Sequence, residues 1–121
     1  VYYITKGTGE KPVSGATVKV NYEGYHTDGR LFDSNVQEVE ERHGMLNDMK
    51  IKREMYQPMP MQISPDAQMI SGFKEAAALL KVGDKAFLYM PSHLAYGERG
   101  YRSIPPNTDL IFILEMVEIV R

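Results

Sequence analysis

Thr17-Val18-Lys19-Val20-Asn21-Tyr22-Glu23-Gly24-Tyr25-His26-Thr27-Asp28-Gly29-Arg30-Leu31-Phe32-Asp33-Ser34 spells out two strands and the turn between them. Val18, Val20 and Tyr22 alternate with Thr17, Lys19, Asn21 and Glu23, the period of two that turns one set of side chains to a core and the other to water. Asp28-Gly29 stands in the turn, where glycine takes the positive φ of a tight hairpin and aspartate can bond its own backbone. Leu31-Phe32-Asp33 then resumes the strand pattern. Residues 17–34 are therefore expected to form a β-hairpin.

Downstream, Lys-Ala-Phe-Leu-Tyr-Met-Pro at 85–91 and the Ile-, Leu-, Phe- and Val-rich run at 110–120 carry the residue types that fit a pleated, half-buried surface. Both are expected near the centre of a sheet. One conventional helix stands out: Ser71 can cap it, Phe73, Ala76, Ala77 and Leu80 recur at i, i+3, i+4 and i+7, and Gly83 follows its end. Residues 35–58 break the pattern with mixed charges at 37–42 and 48–54, and a helical insertion is expected there. Six of the eight methionines (Met45, Met49, Met55, Met59, Met61 and Met69) lie between 45 and 69. Such residues fill core gaps first and adapt to varied ligands second. The architecture expected is α+β and strand-dominated, a single domain over residues 1–121 with no internal repeat.

The 121 residues suit one compact core. A hydrophobic fraction of 43% and a charged fraction of 25% are ordinary for a globular protein. With 14 basic and 16 acidic residues the net charge is −2, which offers no electrostatic footprint for nucleic acid. No apolar run approaches the ~20 residues of a membrane span. The chain opens at Val1 and enters Tyr2-Tyr3-Ile4 at once, so a processed or excised chain lacking its N-terminal targeting segment is expected. The absence of Cys removes disulfides, thiolate catalysis and zinc-thiolate sites together.

His26, His43 and His93 lack the spacing of metal ligands or of a nucleophile and its base, and no G-x-S-x-G elbow is present. Gly7-Thr8-Gly9 begins like a dinucleotide fingerprint, but Pro12 stands where the third glycine belongs. It is a turn. Asp33 follows Phe32 within the apolar pattern and, if partly buried, needs a hydrogen-bond partner, for which Tyr22 is placed. Residues 91–108 form a loop longer than most connections and carry Tyr96, Tyr101 and Ile104, rings and hydroxyls of the kind that close a ligand pocket.

In order along the chain stand Val20-Asn21-Tyr22-Glu23-Gly24, Asp28-Gly29-Arg30-Leu31-Phe32-Asp33-Ser34, Met69-Ile70-Ser71-Gly72-Phe73, Val82-Gly83-Asp84-Lys85, Leu94-Ala95-Tyr96-Gly97 and Ile104-Pro105-Pro106-Asn107-Thr108. Together they resemble the FKBP family of peptidyl-prolyl cis-trans isomerases over residues 12–34 and about 59–120. Val1 to Lys11 looks like the leading strand of bacterial envelope-associated members. Residues 35–58 have no counterpart in the smallest members.

The resemblance implies a twisted antiparallel sheet wrapped around one short helix, with the ligand between them. By position it makes Tyr22, Phe32, Asp33, Ile70, Phe73, Tyr96 and Phe112 the catalytic residues, and Met69, Tyr101, Ile104, Met59 and Met61 substrate contacts. It implies no metal and no cofactor. Proline-containing polypeptides are the expected partners, FKBP-directed macrolides are further ligands, and the bacterial periplasm or envelope is the expected location. Two departures bear on macrolide affinity more than on activity: Phe73 replaces the usual Trp floor, and Tyr101 stands where many members have His. The runner-up reading is a binding module or chaperone that keeps the fold and isomerises poorly, since fold alone does not fix activity. An attachment domain of a larger envelope protein stands third.

Overall fold

The computed structural model of the chain describes residues 2–64, 70–102 and 104–120. Six strands appear among them: β1 Tyr2–Thr5, β2 Thr17–His26, β3 Leu31–Ser34, β4 Met59–Gln62, β5 Lys85–Met90 and β6 Leu110–Val120. Three short helices accompany them: α1 Gln37–Arg42, α2 Asp48–Lys52 and α3 Ser71–Ala77. All strand pairs are antiparallel. The order is β1-β5-β6-β2-β3, with β4 also paired to β2.

The hairpin forms where the sequence places it. His26 N–H donates to Arg30 O at 2.9 Å, Gly29 N–H donates to His26 O at 2.9 Å, and Gly29 holds φ +93°. β2 and β6 pair along their length, from Thr17 against Val120 to His26 against Leu110, with one irregularity at Lys19/Val20. Alternation then puts Val18 and Val20, Ala86, Leu88 and Met90, and Leu110, Phe112, Leu114 and Met116 on one buried face. Phe73, Ala76, Ala77 and Leu80, on α3 and just beyond it, cover that face. Full burial of a side chain of this size stabilises by roughly 1.5–3 kcal/mol, so this layer carries most of the fold.

The α3 boundaries differ from those expected. Ile70, not Ser71, is the N-cap, with no side-chain capping bond, and the helix ends at Ala77. Leu80 is nevertheless fully buried. Asp84 turns the chain after Leu80: its Oδ2 accepts from Lys81 N–H at 3.0 Å and its own N–H donates to Lys81 O at 3.0 Å. The same buried carboxylate accepts from Gly7 N–H at 2.7 Å. A Cβ on Gly7 would lie 2.3 Å from Val82 O, so the Gly7-Thr8-Gly9 turn owes its glycine to close backbone packing.

The outer edge of β2 is shared. β4 pairs with Thr17 to Val20, and β3 pairs with Glu23 to Tyr25. Asn35 bridges the gap between them: Tyr22 N–H donates to its Oδ1 at 2.7 Å, and its Nδ2 donates to Val20 O at 2.9 Å and Gln57 O at 3.1 Å. The buried amide takes the place of a backbone peptide and satisfies Tyr22 N–H and Val20 O on that edge.

Candidate active site

Four rings interlock on the covered face of the sheet. Phe112 lies edge-on to Phe73 at 4.6 Å and to Phe32 at 5.6 Å, and Tyr22 is tilted on Phe73 at 6.3 Å. Edge-on contact suits the charge distribution of aromatic rings and makes a rigid apolar floor. Gly24 makes room for it, because a Cβ there would stand 2.6 Å from Phe32 and 2.8 Å from Phe112.

The Tyr22 hydroxyl donates to Asp33 Oδ2 at 2.8 Å, the partner expected from the sequence. Burial first, then the Asp33 charge and this hydrogen bond, push the Tyr22 phenol far above its ordinary value. It therefore stays a donor at neutral pH.

Phe32 carries the ring cluster to a cleft of about 310 Å³, which is also lined by Asp33, Tyr96, Tyr101, Arg102 and Ile104. The loop 91–108 is tied at both ends. Asp109 accepts from Ser92 N–H at 2.8 Å and from the Tyr89 hydroxyl at 2.7 Å, and Asn107 N–H donates to Gly97 O at 2.8 Å. Tyr101 and Ile104 exchange backbone bonds at 3.0 and 2.8 Å, and Tyr96 stacks on Tyr101 at 4.8 Å. The Tyr96 phenol is raised, chiefly by burial.

The expected site residues thus fall into groups. Phe32, Asp33, Tyr96, Tyr101 and Ile104 line the cleft, while Phe112, Phe73 and Tyr22 follow one another behind Phe32 through ring contacts and are not themselves among the cleft-lining side chains. Ile70 packs on the same core at the start of α3. Met59 packs against the core and Met61 is buried within it at 3% exposure, and neither is among the cleft-lining side chains. Met69 lies outside the described residues.

Sequence reasoning missed a second set of cleft residues, all from the insertion: Glu40, Met45, Asn47 and Lys50. Lys50 Nζ donates to Asp33 Oδ1 and to Glu40 Oε2, both at 2.8 Å. Glu40, 1% exposed, also accepts from the Tyr56 hydroxyl at 2.5 Å and from Ser34 N–H at 3.1 Å. Burial opposes the Lys50 charge, but its bonds and attraction to Asp33 and Glu40 outweigh that and raise its ammonium above the ordinary range. No sequence signal marks these residues beyond the charge mixture of residues 37–54.

A larger cavity of about 620 Å³ lies elsewhere, between Lys11, Pro12, Ile63, the α3 side chains Ser71 and Lys74, and Ala78 just beyond the helix. It has no aromatic lining among the described residues, so volume alone does not make it the site. Among the described residues no three His, Asp or Glu side chains gather as metal ligands do, and no helix is long and apolar enough to cross a membrane.

Comparison with known proteins gives this fold a family: the chain belongs to the FKBP-type peptidyl-prolyl cis-trans isomerase family, whose pattern it matches over residues 8–117. It is similar to the FKBP-type isomerase FkpA of Aeromonas hydrophila, 39% identical over 119 residues that make up 98% of this chain and 37% of that protein. Among solved structures it is similar to a peptidyl-prolyl isomerase from Pseudomonas syringae, with TM-score 0.72, 30% identity, and coverage of 98% of this chain and 73% of that one. It is also similar to FkpA from Escherichia coli, with TM-score 0.70, 32% identity, and coverage of 97% and 46%. The chain spans little more than a third of the length of the FkpA relatives it matches. The fold is the FKBP fold and the unit is an FKBP-type isomerase domain.

Proposed function

We propose that this domain accelerates rotation about X-Pro bonds in polypeptides by holding the twisted amide over the floor of Tyr22, Phe32, Phe73 and Phe112. The interlocked rings beneath a cleft that presents a tyrosine-held carboxylate carry this reading. Rotation meets a barrier of about 18–20 kcal/mol, because twisting removes amide resonance. No covalent bond breaks. Water stabilises the polar planar amide more than the twisted one, so a dry ring-lined site favours the transition state. Each ~1.4 kcal/mol of preferential binding gives a tenfold gain in rate.

In this reading the Ile70 backbone N–H and the Tyr96 hydroxyl bond substrate carbonyls, while Tyr101 and Ile104 close the rim. Asp33 sets the field beside the twisting carbonyl, and it does so as half of an ion pair, since Lys50 Nζ lies 2.8 Å from its other oxygen. The site presents a fixed dipole that needs no reorganisation as the amide twists. The roles of Met59, Met61 and Met69 are secondary, and residues 1–121 work as one isomerase domain. Macrolides that fit FKBP pockets are expected to compete for the same floor. The likeness to envelope-associated bacterial members supports an envelope location, which fractionation of the source cells decides.

The deciding measurement is cis-trans exchange of a short X-Pro peptide by NMR, with the protein and with Phe32→Ala. Fast exchange that drops about tenfold or more in a folded Phe32→Ala variant is expected from the loss of one wall of a desolvated site. Unchanged exchange in the variant would remove the ring floor from the mechanism, and no exchange with the unsubstituted protein would leave a binding module.

A further inference from the structure

We propose that the insertion, residues 35–58, is a second wall of the substrate cleft that binds apolar residues flanking the proline of an unfolded polypeptide. The inference rests on the isomerase reading and extends its site.

Continuity is the first support. Phe32, Asp33 and Tyr96 line the cleft from the scaffold, and Met45, Asn47 and Lys50 line it from the insertion. A polypeptide lying over Phe32 therefore extends toward Met45.

Composition is the second. Met45, Leu46, Met49, Ile51 and Met55 are all exposed, between 36% and 52%, although none is far in sequence from the cleft wall. Exposed apolar residues gathered in one short stretch mark a contact surface, and methionine repacks around side chains of different shape.

The charges of the wall point the same way. Lys50 is held by both Asp33 and Glu40, and the Asn47 side-chain oxygen is occupied as the cap of α2, accepting from Met49 and Lys50 N–H at 2.9 and 3.2 Å. Neither is left to select a charged peptide. The buried Glu40, bonded to Lys50, Tyr56 and Ser34, holds the insertion against the scaffold before substrate arrives, and a preformed wall avoids the entropy cost of ordering on binding.

The test compares two peptides with one X-Pro core, a short one and one extended on both sides by Leu and Val. The unsubstituted protein is expected to show the higher kcat/KM on the extended peptide. Met45→Ser with Leu46→Ser is expected to lower kcat/KM for the extended peptide about tenfold relative to the short one, mostly through KM, as partial burial of one or two such side chains provides. Equal effects on the two peptides, or none on either, would overturn the proposal. Should neither peptide be turned over, the isomerase reading fails separately, and the methyl signals of Met45 and Met49 decide the wall by shifting, or not, when the extended peptide is added.

Discussion

The scaffold and the insertion are held together by different physics. In the scaffold, β2, β5, β6 and α3 bury a continuous apolar layer in which Val18, Val20, Leu80, Leu110, Leu114 and Met116 are fully enclosed. In the insertion, among the described residues, α1 buries only Val39 and Glu40 and α2 buries nothing, so its anchor is a buried carboxylate bonded to Lys50, Tyr56 and Ser34. Apolar burial is non-directional and tolerates adjustment. A buried ion pair depends on geometry and leaves a costly orphan when one partner goes. The lesson is that one short chain can pair a robust frame with a wall that a single side chain releases.

Two substitutions side by side put that contrast at risk. Leu114→Ala should cost about 3 kcal/mol of global stability, the usual penalty for a cavity at a fully packed leucine, seen as a lower urea midpoint. Glu40→Ala should cost about 2 kcal/mol and act locally, since Tyr56, Ser34 N–H and one side of Lys50 lose their acceptor. Native-state hydrogen exchange separates the two: protection in α1 and α2 falls while β6 keeps its own. Equal loss of protection in β6 would mean that scaffold and insertion unfold as one unit.

The smallest effect is in pH. Lys50 is raised above its ordinary 10.5 and Tyr22 above its ordinary 10.0, while Tyr25 is pushed up to about 12. A group raised in the folded state contributes stability that is whole below its unfolded value and is lost as pH rises through the folded one. These three groups therefore leave stability unchanged from neutral pH to about pH 9 and erode it above about pH 10. Lys50→Met should flatten part of that alkaline slope in urea titrations. An unchanged slope would show that the Lys50 bridge does not contribute.

Much of the scaffold was legible because each of its signals is local. Alternation at Val18, Val20 and Tyr22, the Asp28-Gly29 turn and the apolar run of β6 each act within a few residues. Of the cleft-lining side chains, Phe32, Asp33, Tyr96, Tyr101 and Ile104 were named from the sequence, because family motifs mark those positions. Glu40 and Lys50 were not. They sit in charge mixtures that normally face water, and what buries them is the closing of the insertion onto Ser34 and Asp33, a tertiary event without a local pattern. Ser71 misled for a related reason: it has a capping residue's chemistry, but the backbone enters α3 one residue earlier.

Asn35 has a consequence for how such chains diversify. Ser34 faces Glu23 and Met59 faces Val20, so the excursion between them leaves and re-enters β2 only three positions apart, about 10 Å along a strand. Doubling the length of a segment between such fixed ends costs only about 0.6 kcal/mol in closure entropy. With Asn35 sealing the sheet edge through its own amide, the segment from Val36 to Pro58 can change in length without opening the sheet, so long as the contacts of Glu40 and Lys50 with Ser34 and Asp33 are replaced. A protein engineer can graft a different segment there, provided the asparagine stays as the plug.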